Sequence, residues 1–209
     1  MNKCVRFVLS ISISLILPLG CAPMTEDDEF YVEETHKITN NFINEMRREF
    51  NLFCIGTGGN LNKGVQEVDV SFIIYRKLNI EQARELEVKA TERLLELFNT
   101  ETKIRPYLAE YPFTVNRATV SIGTQTTADR WPTDGSVVHV FTAKNKIFYS
   151  AAELYTYTTT PFIDSETGIP ADFVPEEVVK TRLVDLYEEP YEEALKIVNQ
   201  KSNSTETKH

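Results

Sequence analysis

Four groups of residues have types and spacing that chemistry could use. His139, between Val138 and Val140, could with Asp69 or Cys54 form a base and nucleophile set of the kind that hydrolysis or group transfer needs. Nothing in the spacing brings the three together, and a half-buried strand histidine making one hydrogen bond is the better expectation. The run Gly56-Thr57-Gly58-Gly59-Asn60 is glycine-rich like a phosphate cradle, but it has no following Lys and opens no helix, so it reads as a hairpin connection. Glu188, Glu189, Glu192 and Glu193 could chelate calcium, yet they lack the Asp/Asn/Gly pattern of a calcium loop and read as a charged helix start. The fourth group is the most distinctive: Arg105-Pro106-Tyr107 and Tyr111-Pro112-Phe113 make two aromatic-proline elements. Arg105, Tyr107 and Tyr111 are of the types enriched at interaction hot spots, while the aromatic rings are also suited to cap a core.

No His-Glu-x-x-His, Gly-x-Ser-x-Gly or paired metal-ligand motif occurs. Of the three histidines, His36 falls on a helix and His209 in the tail, both in solvated settings, which leaves too few ligands for a zinc site. No catalytic residue, metal or cofactor is expected on these grounds.

Such residues must be positioned by the elements around them. From about Glu29 to Phe50, Ile38, Phe42, Met46 and Phe50 recur every four positions with Ile43 beside them, which predicts a helix whose other face carries Glu34, Asn41, Glu45 and Arg48. Leu52–Thr57 and Val65–Tyr75 read as two strands of a hairpin. Asn79 and Gln82 form a capping-box pair ahead of the stripe Ala83, Leu86, Ala90, Leu94 and Leu97. Prolines at 106 and 112 forbid a regular element there. Three further strands follow, at Ala118–Ile122, Val137–Thr142 and Lys146 to about Thr156, the last two joined at Lys144-Asn145. Residues 157–175 read as an ill-structured loop, Pro190 opens a last helix, and residues 200–209 read as a disordered tail. This order predicts an α+β fold, an antiparallel or mixed sheet of about five strands with helices packed on one face.

The N-terminus carries Lys3 and Arg6, an apolar run from Phe7 to Leu17, then Gly20-Cys21. This resembles bacterial lipoproteins, whose lipobox ends in a small residue before an obligatory Cys; Pro18 stands where the family usually has Leu. The resemblance implies cleavage of residues 1–20, lipidation of Cys21, a tether over 21–28, one domain over 29–199 and a location in the cell envelope. The apolar run is short of the roughly 18 to 20 residues that span a bilayer. Loss of Lys3 and Arg6 removes two cations and no acid, taking the formal charge from −9 to −11. An acidic chain of this kind excludes nucleic acid as a partner and leaves the lipid on Cys21 as the contact with the membrane. Cys54 is then the one cysteine of the domain, expected buried and inert in Leu52-Phe53-Cys54-Ile55.

The segments Glu81-Gln82-Ala83-Arg84, Ile104-Arg105-Pro106-Tyr107-Leu108, Tyr111-Pro112-Phe113 and Tyr191-Glu192-Glu193-Ala194 resemble those of a group of uncharacterised bacterial lipoproteins and hypothetical proteins over roughly residues 30–199. That likeness implies no activity and brings over no catalytic residue. The reading that follows is a membrane-tethered, non-enzymatic module binding an envelope protein or component. Its rivals are a hydrolase or transferase built on His139 and Asp69, and a carrier of a small apolar ligand.

Overall fold

The computed structural model describes residues 25–126, 131–159 and 176–206, with side chains as far as 203. The expected signal, Cys21, most of the 157–175 loop and the last three residues lie outside the described residues.

Helix α1 (Glu26–Phe50) starts where Thr25 closes a capping box, its Oγ1 accepting from the Asp28 amide at 3.2 Å while the Asp28 carboxylate accepts from the Thr25 amide at 2.9 Å. Four acids fill the first turn, against the positive end of the helix dipole. The expected tether therefore loses residues 26–28 to the helix. Ile38, Phe42 and Met46 are buried as expected, but Glu34 and Glu45, assigned to the solvent face, are buried too. The cause is a second neighbour: α1 lies beside helix α2 (Ile80–Thr100) as well as on the sheet, and Arg93 of α2 grips Glu45 at 2.6 and 3.0 Å.

The sheet has six strands in chain order: β1 (Phe53–Asn60), β2 (Glu67–Ile74), β3 (Ala118–Thr124), β4 (His139–Ala143), β5 (Lys146–Thr158) and β6 (Glu177–Pro190). All neighbours run antiparallel except β2 and β3, which are parallel because α2 carries the chain back between them. The fold is α+β with a mixed sheet, as expected, but with one strand more; β6 occupies residues that had shown no strand pattern. The glycine run proves to be the body of β1 rather than the hairpin turn, which falls at residues 61–66. At the β4–β5 turn, Lys144 and Asn145 take φ of 51° and 61°, the left-handed pair that a two-residue hairpin requires.

Burial alternates along the central strands. Val68, Val70, Phe72, Ala118, Val120, Ile122, Val140, Thr142, Ile147 and Tyr149 face the helices, while Asp69, Ser71, Thr119, Ser121, His139, Phe141 and Phe148 occupy the opposite, uncovered face. Helix α2 runs across the middle of the covered face, with α1 on one side and α3 (Tyr191–Glu206) on the other. The predicted tail of 200–209 is thus helical as far as Glu206. Asn79 and Gln82 make the predicted capping box, the Asn79 side chain accepting from the Gln82 amide at 2.9 Å. The stripe Ala83, Leu86, Ala90 and Leu94 is buried; Phe98, not the half-buried Leu97, completes it. No helix among the described residues is long and apolar enough to cross a membrane.

Leu94 is 0% exposed at the centre of this layer. Leu94→Ala should cost about 2 to 5 kcal/mol in chemical denaturation, while Glu81→Ala, on the exposed flank of the same helix, should change stability by less than about 0.5 kcal/mol.

Candidate functional site

His139 and Asp69 share the uncovered face but stay apart. Asp69 pairs with Thr119 and His139 with Gly123, four residues along β3 and two strands away. At ~3.3 Å per residue and ~4.8 Å per strand, that is about 13 Å along the sheet and 10 Å across it. His139 is instead half-buried in a ring stack, 5.2 Å from Phe141, which lies 5.1 Å from Phe148. Burial pushes its imidazole below the ordinary histidine value. Cys54 pairs with Phe72 and so sits on the covered face of an edge strand. It is half-buried rather than buried, its Sγ 3.6 Å from the Gly56 carbonyl, because among the described residues no strand lies outside β1. The structure does not assemble these three residues.

The aromatic-proline elements divide. Arg105 and Tyr111 meet at the surface, the guanidinium carbon 4.4 Å from the ring centroid, with Tyr111 54% exposed. Asn99 holds the segment by donating to the Phe113 carbonyl at 2.9 Å and accepting from its amide at 2.6 Å, and Phe113 stacks on Phe98 in the core. Tyr107 turns the other way. It packs against Phe30 and Tyr31 of α1, 5.5 Å from each, so it helps to seat the first helix and is no part of an exposed platform.

Sequence reading missed a buried polar cluster beneath α2. The Glu189 carboxylate, 3% exposed, accepts from Arg84 at 2.7 Å and from the Tyr149 hydroxyl at 2.5 Å. One helix turn on, Glu87 is fully buried and accepts from the Thr142 hydroxyl at 2.7 Å. The Thr91 hydroxyl, also buried, interacts with the same carboxyl. Desolvation raises the Glu87 carboxyl to about 8, so it is held neutral at physiological pH. Burial, then the Glu189 carboxylate, raises the Tyr149 phenol as well. Two clefts beside α2, one lined by its N-terminal residues and one by its outer flank, include none of these groups. These groups join α2 to β4, β5 and β6.

The surface that stands out is the far part of the β5–β6 ribbon. β4 accompanies β5 only as far as Ser150, and from Ala151 to Thr158 the ribbon continues as two strands alone. One face carries Glu153 with Arg182, and Tyr155 and Tyr157 under Arg182 and Lys180. The other face carries Ala152 with Leu183, Leu154 with Thr181, and Thr156 with Val179, so it has no charge between Asp185 and Glu177. Leu154 and Val179 are each 60% exposed and Leu183 is 43% exposed. A two-stranded ribbon is marginal in water, and the exposed aliphatic side chains make this one an apolar surface strip among the described residues.

Glu87 gives a pH signature. Its folded value lies above the ordinary 4.5, so the unfolded chain gives up this proton before the folded one does, and stability falls as pH rises from about 4.5 to 8. Glu87→Gln should remove that fall. Urea denaturation of the two proteins should diverge across this window by on the order of 1.4 kcal/mol per pH unit, with the variant the more stable at pH 8.

Comparison with protein-family models, with curated proteins and with solved structures finds no match to this chain.

Proposed function

We propose that this chain is a lipid-tethered envelope protein whose β5–β6 ribbon binds another envelope protein through its uncharged aliphatic face. The observation that carries the reading is the stripe of Leu154, Val179 and Leu183, exposed on a chain whose formal charge is −9. An acidic protein keeps a charge-free apolar strip at the surface at a cost in solubility, and a partner with an aliphatic counter-surface removes that cost. The polar face behind it, with Glu153 against Arg182 and the two tyrosines under cations, stiffens the ribbon for the purpose.

Topology supports the pairing of tether and ribbon. The start of α1 lies at one end of the sheet, where the Tyr31 hydroxyl donates to the Leu61 carbonyl at 2.9 Å, next to the close of β1. β5 runs in the same direction as β2 and β3, away from that end, so its extension leaves the sheet at the other. A lipid on Cys21, four residues before Thr25, would hold the α1 end against the membrane and point the ribbon away from it. No catalytic residue or cofactor enters this reading.

Two measurements test it. Cys21→Ala should abolish incorporation of labelled fatty acid and move the protein out of the detergent phase; label retained by the variant would end the lipoprotein assignment. A photo-crosslinking side chain at Leu154, in cells, should give one discrete adduct that Val179→Asp removes and Val179→Leu keeps. An adduct indifferent to Val179→Asp would refute the ribbon as the binding surface.

A further inference from the structure

The two edges of the sheet are built differently. β6 carries Glu177, Lys180, Arg182, Asp185, Glu188 and Glu189 and ends at Pro190, the devices that keep foreign strands from adding to an edge. β1, Phe-Cys-Ile-Gly-Thr-Gly-Gly-Asn, has no charge and no proline. Of its glycines, Gly59 is required by the backbone: its φ is +143° and a Cβ there would lie 2.2 Å from the Glu67 carbonyl oxygen. Gly56 and Gly58 are not required. A Cβ at Gly56 would meet nothing within 4 Å, and one at Gly58 would reach only ordinary contact with Asp69 at 3.6 Å. Their effect is to leave the edge bare.

Beside this edge lies a cleft of about 220 Å³, with Thr35, His36 and Thr39 of α1 on one wall and Thr57, Gly58 and Gly59 of β1 on the other. Val68 and Leu61 also line it. Thr35 is 5% exposed and its hydroxyl has no hydrogen-bond partner. A helical threonine ordinarily returns its hydroxyl to a carbonyl of the preceding turn, so a buried unpaired one at a cleft wall calls for a partner from outside.

We infer that this groove, between α1 and the free edge of β1, binds an extended segment of another protein by strand addition, seating one small side chain against Thr35, Thr39 and Thr57. Main-chain hydrogen bonds to an edge strand supply affinity, and a pocket beside the edge selects alternate side chains. The volume is sufficient for one side chain of the segment. The cleft is lined by threonine, glycine, leucine and valine with His36 and no carboxylate, so the side chain it seats is uncharged. A second copy of the chain is the poorer fit. The register shift between Cys54 and Gly56 leaves five regularly paired residues, Gly56–Asn60, too short an edge to bury the ~1,200 Å² of a stable interface. The inference is independent of the ribbon, which lies at the opposite edge, so either can fail alone.

The test uses the full chain in detergent and a synthetic acetylated heptapeptide, Ser-Val-Ser-Val-Ser-Val-Asp amide, with a second copy N-methylated at alternate amides. Binding of the first should protect from hydrogen exchange those amides of Gly56–Asn60 that β2 does not already bond, and slow alkylation of Cys54, read by peptide mapping, at least fivefold. N-methylation should weaken binding tenfold or more, and Thr35→Val, which keeps shape and loses the hydroxyl, severalfold. The inference is overturned if the peptide gives no protection at millimolar concentration, or if the methylated copy binds equally well. It is overturned too if the chain sediments as a dimer with those amides of Gly56–Asn60 already protected.

Discussion

The contact between Arg84 and Glu189 fixes where the last strand lies, and the outer half of the molecule follows from it. A carboxylate almost wholly removed from water is tolerable only with its partners in place, and here they are a guanidinium from α2 and a phenol from β5. A slip of β6 by one residue would put Glu188 in that position and carry Glu189 to the open face, leaving Arg84 and Tyr149 without their acceptor. Glu188 instead meets Lys146 at the surface at 2.6 Å. The register set there passes along the ribbon, through a bulge that skips Leu186, and decides that Leu154, Val179 and Leu183 fall on one side and the charges on the other.

Much of the frame was legible in the sequence because single periodicities encode it. α2 announces itself through its capping box and its stripe, and β2 and β3 alternate because one of their faces meets helices and the other meets none. Where an element has two neighbours or none, a single period fails. The four-residue period of α1 encodes one buried face, but the helix has two, so Glu34 and Glu45 read as solvent-facing although Arg93 or the flank of α2 shelters them. β6 has the reverse condition: only Glu189 of its residues is buried, so no apolar alternation exists to read. The glycines of β1 read as a turn because composition alone does not distinguish a bend from an edge strand that has nothing to pack against.

The candidate sites divide in the same way. Arg105 and Tyr111 are close in sequence, and local geometry brings them together; Tyr107 points elsewhere because the single 3-10 turn at Arg105–Tyr107 faces it toward α1. Glu87 could not have been assigned, since an acid one position after Leu86 on a helix ordinarily faces water. It faces Thr142 because α2 crosses the sheet centrally and is covered on both flanks. The ribbon and the β1 edge depend on which strands lack neighbours, a property of the whole sheet.

The parallel seam between β2 and β3 bears on how quickly the molecule can form. The β4–β5 turn needs two residues, and the nearest pair of the β5–β6 ribbon, Thr158 and Glu177, is 19 positions apart. The seam joins Val68 to Ala118 and its neighbours in step, and none of its hydrogen bonds can close until residues 75–117, α2 included, have been drawn into a compact loop. Pairings of that sequence separation carry a larger loop-closure cost than a two-residue hairpin, and α2 packs against the two strands it joins only once they are side by side.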